Sequence, residues 1–201
     1  MQTALIVIGS LIAALGTLPY IIATVKGDVK PRLVTWLTWA LLTGIAGAAA
    51  LSANQLGSAL FAFLGTLATG SVVVAGFRFG DRTFKTLDVV SLAGVVVGLA
   101  LWYVLDDPAY AVLAAIAIDF VGLLPTLAHA WTAPREEAPS AFVCVGIGGA
   151  ITVAAIIMSG DFSLTALGYP LYAAVSMGIC AAIILVRGRI VLPPIKEEMA
   201  G

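Results

Sequence analysis

The chain has 201 residues, of which 61% are hydrophobic and only 10% are charged, and its formal net charge is -1. About 25% of the residues in soluble domains are charged, so this composition cannot cover a water-soluble globule. The sequence therefore predicts an all-α integral membrane protein, and nothing in its charge balance indicates nucleic-acid binding.

Apolar runs separated by short polar segments predict seven transmembrane helices, because a hydrocarbon core about 30 Å thick requires about 20 apolar residues per helix. The first run lacks the basic segment of a signal peptide and exceeds the usual apolar length, which indicates a retained first helix. In chain order, the helices are predicted near residues 3–25, 33–53, 56–77, 87–105, 109–131, 140–158 and 163–186.

All ten Lys and Arg residues follow odd-numbered predicted helices, and the second, fourth and sixth loops hold none. The positive-inside rule then places the odd loops and the C-terminus in the cytoplasm and the N-terminus outside. We expect a multi-pass protein of the plasma or inner membrane. The basic residues are Lys26, Lys30, Arg32, Arg78, Arg82, Lys85, Arg135, Arg187, Arg189 and Lys196.

An internal repeat is indicated by Gly16-Thr17-Leu18-Pro19 and Gly122-Leu123-Leu124-Pro125, which share a Gly-x-Leu-Pro pattern. Three helices, a linker helix and three more helices give both repeats the same orientation, related by an axis along the membrane normal. The predicted units are a first three-helix bundle (1–80), a linker helix (86–106), a second three-helix bundle (109–188) and a cytoplasmic tail (189–201).

This plan resembles the PQ-loop and SWEET-like superfamily, in which two parallel three-helix bundles are joined by a linker helix. Nicotinamide riboside transporters share the plan. The resemblance implies that Pro19 and Pro125 occupy the family's hinge-proline positions, although the glutamine of the PQ motif is absent from both repeats. Sugar carriers of the family use mid-helix asparagines in helices 3 and 7, and this sequence has none there.

Asp119 is predicted near the middle of the fifth helix, where a charged carboxylate costs at least about 2.5 kcal/mol. It is interpreted as a protonatable or substrate-contacting group, and the alternative is a protonated side chain that only ties helices together. No Lys or Arg lies within the predicted spans, so hydroxyl groups such as those of Thr17, Thr66 and Tyr172 are its candidate partners. We include Asp119, Thr66 and Tyr172 in the predicted substrate site.

Trp36 and Trp39 are three residues apart in the second helix and therefore project from one face. Such a pair can form an aromatic wall for a planar substrate, and both residues are included in the predicted substrate site. The alternative is an interfacial aromatic belt, in which Trp side chains anchor a helix at the membrane surface.

Pro19 and Pro125 are predicted hinges, because a proline inside a helix removes a backbone hydrogen bond and permits bending. Prolines of membrane helices are also often merely structural. For Pro170, which has no counterpart in helix 3, the sequence favours neither interpretation.

Together these features predict a transporter or facilitator of a small polar or aromatic metabolite, working by alternating access between two triple-helix bundles, with proton coupling left open. The alternative is a non-transporting receptor or scaffold of the same fold. An enzyme is not expected, because no Ser-His, Cys-His or metal-ligand cluster lies at one membrane depth. We expect no cofactor or metal. The expected partners are a small-molecule solute and the lipid bilayer, and a homo-oligomer is left open.

Overall fold

The computed structural model describes residues 1–27, 31, 33–78, 80, 82, 86–132, 134 and 139–190. Within helices, the side chains at positions 87, 88, 91, 125, 129 and 190 are outside this description. Five of the basic residues used to predict orientation, and nearly all of the predicted tail, also lie outside the described residues. These basic residues are Lys30, Arg32, Lys85, Arg135 and Lys196.

The described residues form helices and short connections between them, which confirms the predicted all-α class. Eight helical segments follow one another without a strand in the described ranges. They are α1 (Gln2–Leu15), α2 (Leu18–Lys26), α3 (Leu33–Ser52), α4 (Leu56–Gly76), α5 (Thr86–Leu105), α6 (Pro108–Thr132), α7 (Pro139–Met158) and α8 (Leu164–Ile190).

Six helical spans in the described residues are long and apolar enough to cross a membrane, counting α1 and α2 together as one. A seventh helix, α5, contains a shorter apolar segment, Leu92–Leu105. Large apolar side chains face outwards, as shown by Leu67 with 66% and Val96 with 65% of its surface exposed. Such faces require a hydrocarbon solvent, so the protein is a multi-pass membrane protein.

The first span differs from the single helix predicted over residues 3–25, because it is interrupted at Gly16 and Thr17. Pro19 occupies the first turn of α2. A proline has no N–H with which to continue the helical ladder, so the first turn of a new helix suits it. The Thr17 hydroxyl donates to the Ala14 carbonyl over 2.7 Å and so satisfies part of the broken ladder.

The helices form two groups by their position in the chain, the N-terminal group (α1–α4) and the C-terminal group (α6–α8). In the N-terminal group, α4 packs against α1, α2 and α3; in the C-terminal group, α8 packs against both α6 and α7. The groups meet mainly where α1 packs on α7, α3 on α6 and α4 on α8, with smaller contacts of α7 with α2 and α4 and of α8 with α3, while α5 packs on α6 and α3.

Small residues allow these helices to approach closely. A β-carbon built on Gly9 of α1 would lie 2.6 Å from the Gly148 carbonyl oxygen of α7, so the two backbones are in contact. The central core cluster is correspondingly rich in alanine. Its members include Ala13, Leu42, Ala46, Ala49, Phe61, Ala62, Val112 and Ala115.

Candidate functional site

Asp119 is the only charged side chain that is buried in the described part of the chain, with 4% of its surface exposed. It stands eleven residues after Pro108, the first residue of α6, which corresponds to about 16 Å along the helix. The carboxyl group therefore lies near the middle of a span. A charge at this depth is costly, which indicates that it has a structural or functional partner.

Asp119 has two tyrosines of α8, Tyr169 and Tyr172, as polar neighbours, and Ser176 follows on the same face of that helix beside Tyr172. Tyr169, Tyr172 and Ser176 are spaced at intervals of three and four residues, and Tyr169 and Tyr172 have ring centroids 6.1 Å apart. The Tyr172 hydroxyl lies close enough to the Asp119 carboxyl group and the Ser176 hydroxyl to interact electrostatically with both. We refer to Asp119, Tyr169, Tyr172 and Ser176 as the Asp119 cluster.

Two hydroxyl groups of the Asp119 cluster, those of Tyr172 and Ser176, are buried and form no hydrogen bond of normal geometry with any described residue. Most buried polar groups in proteins have a partner, so such exceptions indicate a specific role. Of the three hydroxyls that the sequence offers as partners of Asp119, the structure places Tyr172 beside it. Thr17 instead bonds to Ala14 within the first span.

Among the described residues, no fixed positive charge lies at the depth of the Asp119 cluster. The helices α3, α4, α6 and α7 contain no Lys or Arg, and those of α8 lie in its last turn. Arg187 is eleven residues beyond Ser176, or about 16 Å along α8. Its guanidinium group stacks 4.5 Å from the Trp131 ring centroid and its Nε donates to the Trp131 carbonyl over 3.4 Å.

Trp39 brings α3 of the other helix group to the Asp119 cluster. Its indole nitrogen lies 3.9 Å from the position that a β-carbon on Gly122 would occupy, and Gly122 is one turn beyond Asp119 on α6. Trp39 and Tyr172 both pack against the same apolar core cluster. A β-carbon at Gly122 would be in ordinary van der Waals contact with the indole, so the Trp39 ring lies directly against α6.

Trp36 lies in a row of three aromatic rings that ends at Trp39. The Trp36 and Trp39 ring centroids are 5.2 Å apart in an edge-on arrangement, and Tyr20 of α2 lies 4.9 Å from Trp36. The row therefore joins the interrupted first span to the contact between α3 and α6. Sequence reasoning did not single out Tyr20, although its position directly after Pro19 placed it at the predicted hinge.

Thr66 is not brought to Asp119 by any of its described hydrogen bonds. Its hydroxyl lies 3.0 Å from that of Thr43 on α3 and 3.1 Å from the Ala62 carbonyl. It also lines a lateral groove of about 560 Å³ along α4, together with Val25 and Gly70. Thr66 thus belongs to the contact between α3 and α4.

The three prolines are placed differently by the structure. Pro19 follows the interruption of the first span, whereas Pro125 falls within the continuous helix α6. Pro170 is fully buried inside α8. Because Pro170 lacks an N–H, the carbonyl of Ala166 has no donor in its own helix, and the Ser58 hydroxyl of α4 donates to it instead.

One end of the molecule is closed by polar contacts between the two helix groups. The Gln2 amide donates to the Met158 carbonyl over 2.6 Å, and Gln55 donates to Asp161 in the loop before α8. The backbone N–H of Ser163 also donates to Asp161 over 2.8 Å, and this bond lowers the pKa of that exposed carboxyl group from its ordinary value of 3.8. The predicted spans put this end outside the cell.

The described residues contain no group of three or more His, Cys, Asp or Glu side chains that would hold a metal ion. Searches of protein families, of curated proteins and of solved structures find no match to this chain. The class of the protein is therefore defined by its apolar helices, and the nature of the site by the chemistry of the Asp119 cluster.

Proposed function

We propose that this membrane protein transports a small polar or aromatic solute by alternating access between two helix bundles. The observation that carries the proposal is the position of Asp119. It is a buried carboxyl group in the middle of a span, one turn before Gly122, where α6 meets Trp39 of the other helix group. Ionisable groups inside membrane helices are typical of solute and ion pathways.

The contacts between helices support a plan of two parallel bundles with α5 as linker. If the first span corresponds to α6, α3 to α7 and α4 to α8, then the contact of α1 with α7 corresponds to that of α3 with α6. When the two groups are exchanged, α4 and α8 change places, so their contact is unchanged. The last helix of each group, α4 or α8, packs against both other spans of that group. The two groups thus share one internal arrangement, as a repeated unit requires.

In this proposal the site lies near the membrane midplane, as it does in transporters built from repeats. Asp119 provides polarity, the row of Tyr20, Trp36 and Trp39 provides an aromatic wall, and Tyr172 provides a hydroxyl group. The interruption before Pro19 allows α2 to move relative to α1, so that Tyr20 and the aromatic row move with it. Pro125, at the corresponding position of α6, is the second proposed hinge.

The proposal is tested with purified protein in two assays. A thermal-shift screen against nucleosides, vitamins, amino acids and sugars, at mildly acidic and neutral pH, identifies ligands that bind the folded state and stabilise it. Counterflow in proteoliposomes then measures exchange of each hit. We expect exchange by the parent protein and a loss of at least about tenfold in Asp119→Asn, corresponding to about 1.4 kcal/mol.

Asp106→Asn is the matched control, because it makes the same change in an exposed loop. Asp106 has a left-handed backbone with φ of 51°, a conformation that asparagine also adopts readily. Its exchange should equal that of the parent. A ligand that stabilises the protein without any exchange in proteoliposomes would instead support the non-transporting receptor.

A further inference from the structure

We propose that the Asp119 cluster binds a compact monovalent cation, which is either a protonated amino group of the solute or a coupling Na⁺. This inference uses the site of the proposed transporter and rests on that function for its role. The binding itself is a property of the folded protein. It can therefore be measured whether or not transport occurs.

The first argument comes from the donor set. The Tyr172 hydroxyl lies between the Asp119 carboxyl group of α6 and the Ser176 hydroxyl of its own helix α8, close enough to interact with both. Tyr172 and Ser176 form no hydrogen bond of normal geometry with any described residue, and Ser176 has only 8% of its surface exposed. Oxygen ligands of this kind suit Na⁺, and three acceptors match the three N–H donors of an ammonium group.

The second argument concerns charge. Apart from Asp119, the described side chains of the helices packed on α6, which are α3, α5 and α8, carry no charge until Arg187 near the end of α8. Arg187 is stacked on Trp131 at the far end of the same helix. A carboxyl group at this depth is neutralised either by a proton or by a positive charge that arrives from outside the described helices, and the proposal takes the second case.

The aromatic rings of Tyr169 and Tyr172 suit the same cation. Tyr169 and Tyr172 have centroids 6.1 Å apart with planes inclined by 47°, so ring surface lies next to the oxygen atoms. Aromatic faces attract ammonium groups within about 6 Å of the ring centroid. An amino group is therefore held by both the oxygen atoms and the rings, whereas Na⁺ uses the oxygen atoms alone.

The test measures thermal stability of the purified full-length protein at neutral pH and constant ionic strength. One arm replaces choline chloride by NaCl, and the other adds primary amines, each paired with a neutral hydroxyl analogue of the same size. Stabilisation by NaCl supports the coupling ion, and stabilisation by amines but not by their neutral analogues supports the solute amino group. If neither stabilises the parent protein, the proposal is overturned.

Ser176→Ala is the decisive variant, and Ser10→Ala is its matched control. Ser10 is also a fully buried serine whose hydroxyl has no described partner, but it lies on α1 and outside the Asp119 cluster. We expect the apparent affinity for the cation to fall at least tenfold in Ser176→Ala and to be unchanged in Ser10→Ala. Equal affinity in the two variants would overturn the proposal.

Tyr172→Phe provides a second variant if Ser176→Ala folds poorly, since it removes one hydroxyl and keeps the ring. Counterflow of solute in proteoliposomes distinguishes the transport proposal from the cation-site proposal. Cation binding without solute exchange would contradict the transporter and leave the cation site intact. Solute exchange by a protein that neither NaCl nor amines stabilise would contradict the cation site and leave the transporter intact.

Discussion

The two helix groups are joined by two corresponding contacts that have opposite chemistry. Where α1 meets α7, the backbones touch, and a β-carbon added to Gly148 would lie 2.8 Å from both the Ala13 nitrogen and its β-carbon. Where α3 meets α6, an indole ring stands against Gly122 beside the buried carboxyl group of Asp119. The first contact is optimised for packing, and the second contains polar groups that packing alone does not require.

Under the proposed mechanism, this difference indicates that the two contacts have different roles. Close-packed backbones have few alternative arrangements, because interiors at crystal-like density do not deform continuously. The contact of α1 with α7 would then be the fixed side, about which the helix groups rock. The contact of α3 with α6 would be the side that opens to the solute.

The largest expected effect on stability comes from a substitution in the close contact between α1 and α7. Gly148→Ala should destabilise the protein by about 3 kcal/mol, because the new methyl group meets the backbone of α1, which cannot rotate away. Gly70→Ala is the control, since nothing lies within 4 Å of a β-carbon at that position. It should be neutral or stabilising by up to about 1 kcal/mol. Thermal denaturation in detergent measures both, and equal stability of the two variants would contradict the tight contact.

A substitution of Asp119, near the contact of α3 with α6, is expected to increase stability instead. Asp119→Asn should raise the free energy of unfolding by about 2 kcal/mol, because it removes a charge from the middle of a span. Asp106→Asn, in an exposed loop, should change it by less than about 0.5 kcal/mol. The comparison is made by thermal denaturation in the absence of ligand. A loss of stability in Asp119→Asn would mean that Asp119 ties helices together.

The third contact between the groups, that of α4 with α8, should show an intermediate effect. Ser58→Ala should cost about 1 to 2 kcal/mol, because it leaves the Ala166 carbonyl buried without a donor. Ser71→Ala is its control, since the Ser71 hydroxyl is exposed and donates to Leu67 within the same helix. Pro170→Ala in the Ser58→Ala background should recover part of the loss by restoring an N–H to α8. No recovery would argue against the proline as the cause.

Much of the fold could be predicted from the sequence, because the bilayer fixes the length of each apolar run. The predicted span at residues 33–53 is observed as Leu33–Ser52, and that at 140–158 as Pro139–Met158. The interruption before Pro19 was not predicted. Three prolines fall within predicted spans, yet α6 and α8 remain continuous, and in α8 the carbonyl that Pro170 leaves free accepts a hydrogen bond from Ser58 of α4.

The site could also be predicted only in part, because its contacts between helices depend on the tertiary structure. A buried carboxylate is evident from its position in an apolar run, so Asp119 was identified directly. Its neighbours depend on how α4 and α8 are rotated about their axes, which spacing does not reveal. Thr66 was therefore expected beside Asp119 but bonds to Thr43, while Ser176 joins the cluster through its spacing from Tyr172 on one face of α8.

The smallest expected effect lies at the end of the molecule where α1 begins and α7 ends. Asp161 accepts hydrogen bonds from the backbone N–H of Ser163, its hydroxyl and Gln55, and these lower the pKa of its carboxyl group below the ordinary value of 3.8. A lowered pKa in the folded state stabilises the fold above the unfolded pKa, and the contribution disappears as pH falls through the folded value. Asp161→Asn should therefore be slightly less stable than the parent at neutral pH.

The difference in Tm between the parent and Asp161→Asn should shrink as the pH is lowered below 3.8, because the parent carboxyl group then becomes protonated. Gln55→Ala should give a smaller loss with the same pH dependence, since it removes only one of the donors. A difference in Tm that stays constant across this range would mean that the loop is held by groups other than the Asp161 carboxylate, and that this end of the α1 and α7 contact is closed by packing and the Gln2 bond alone.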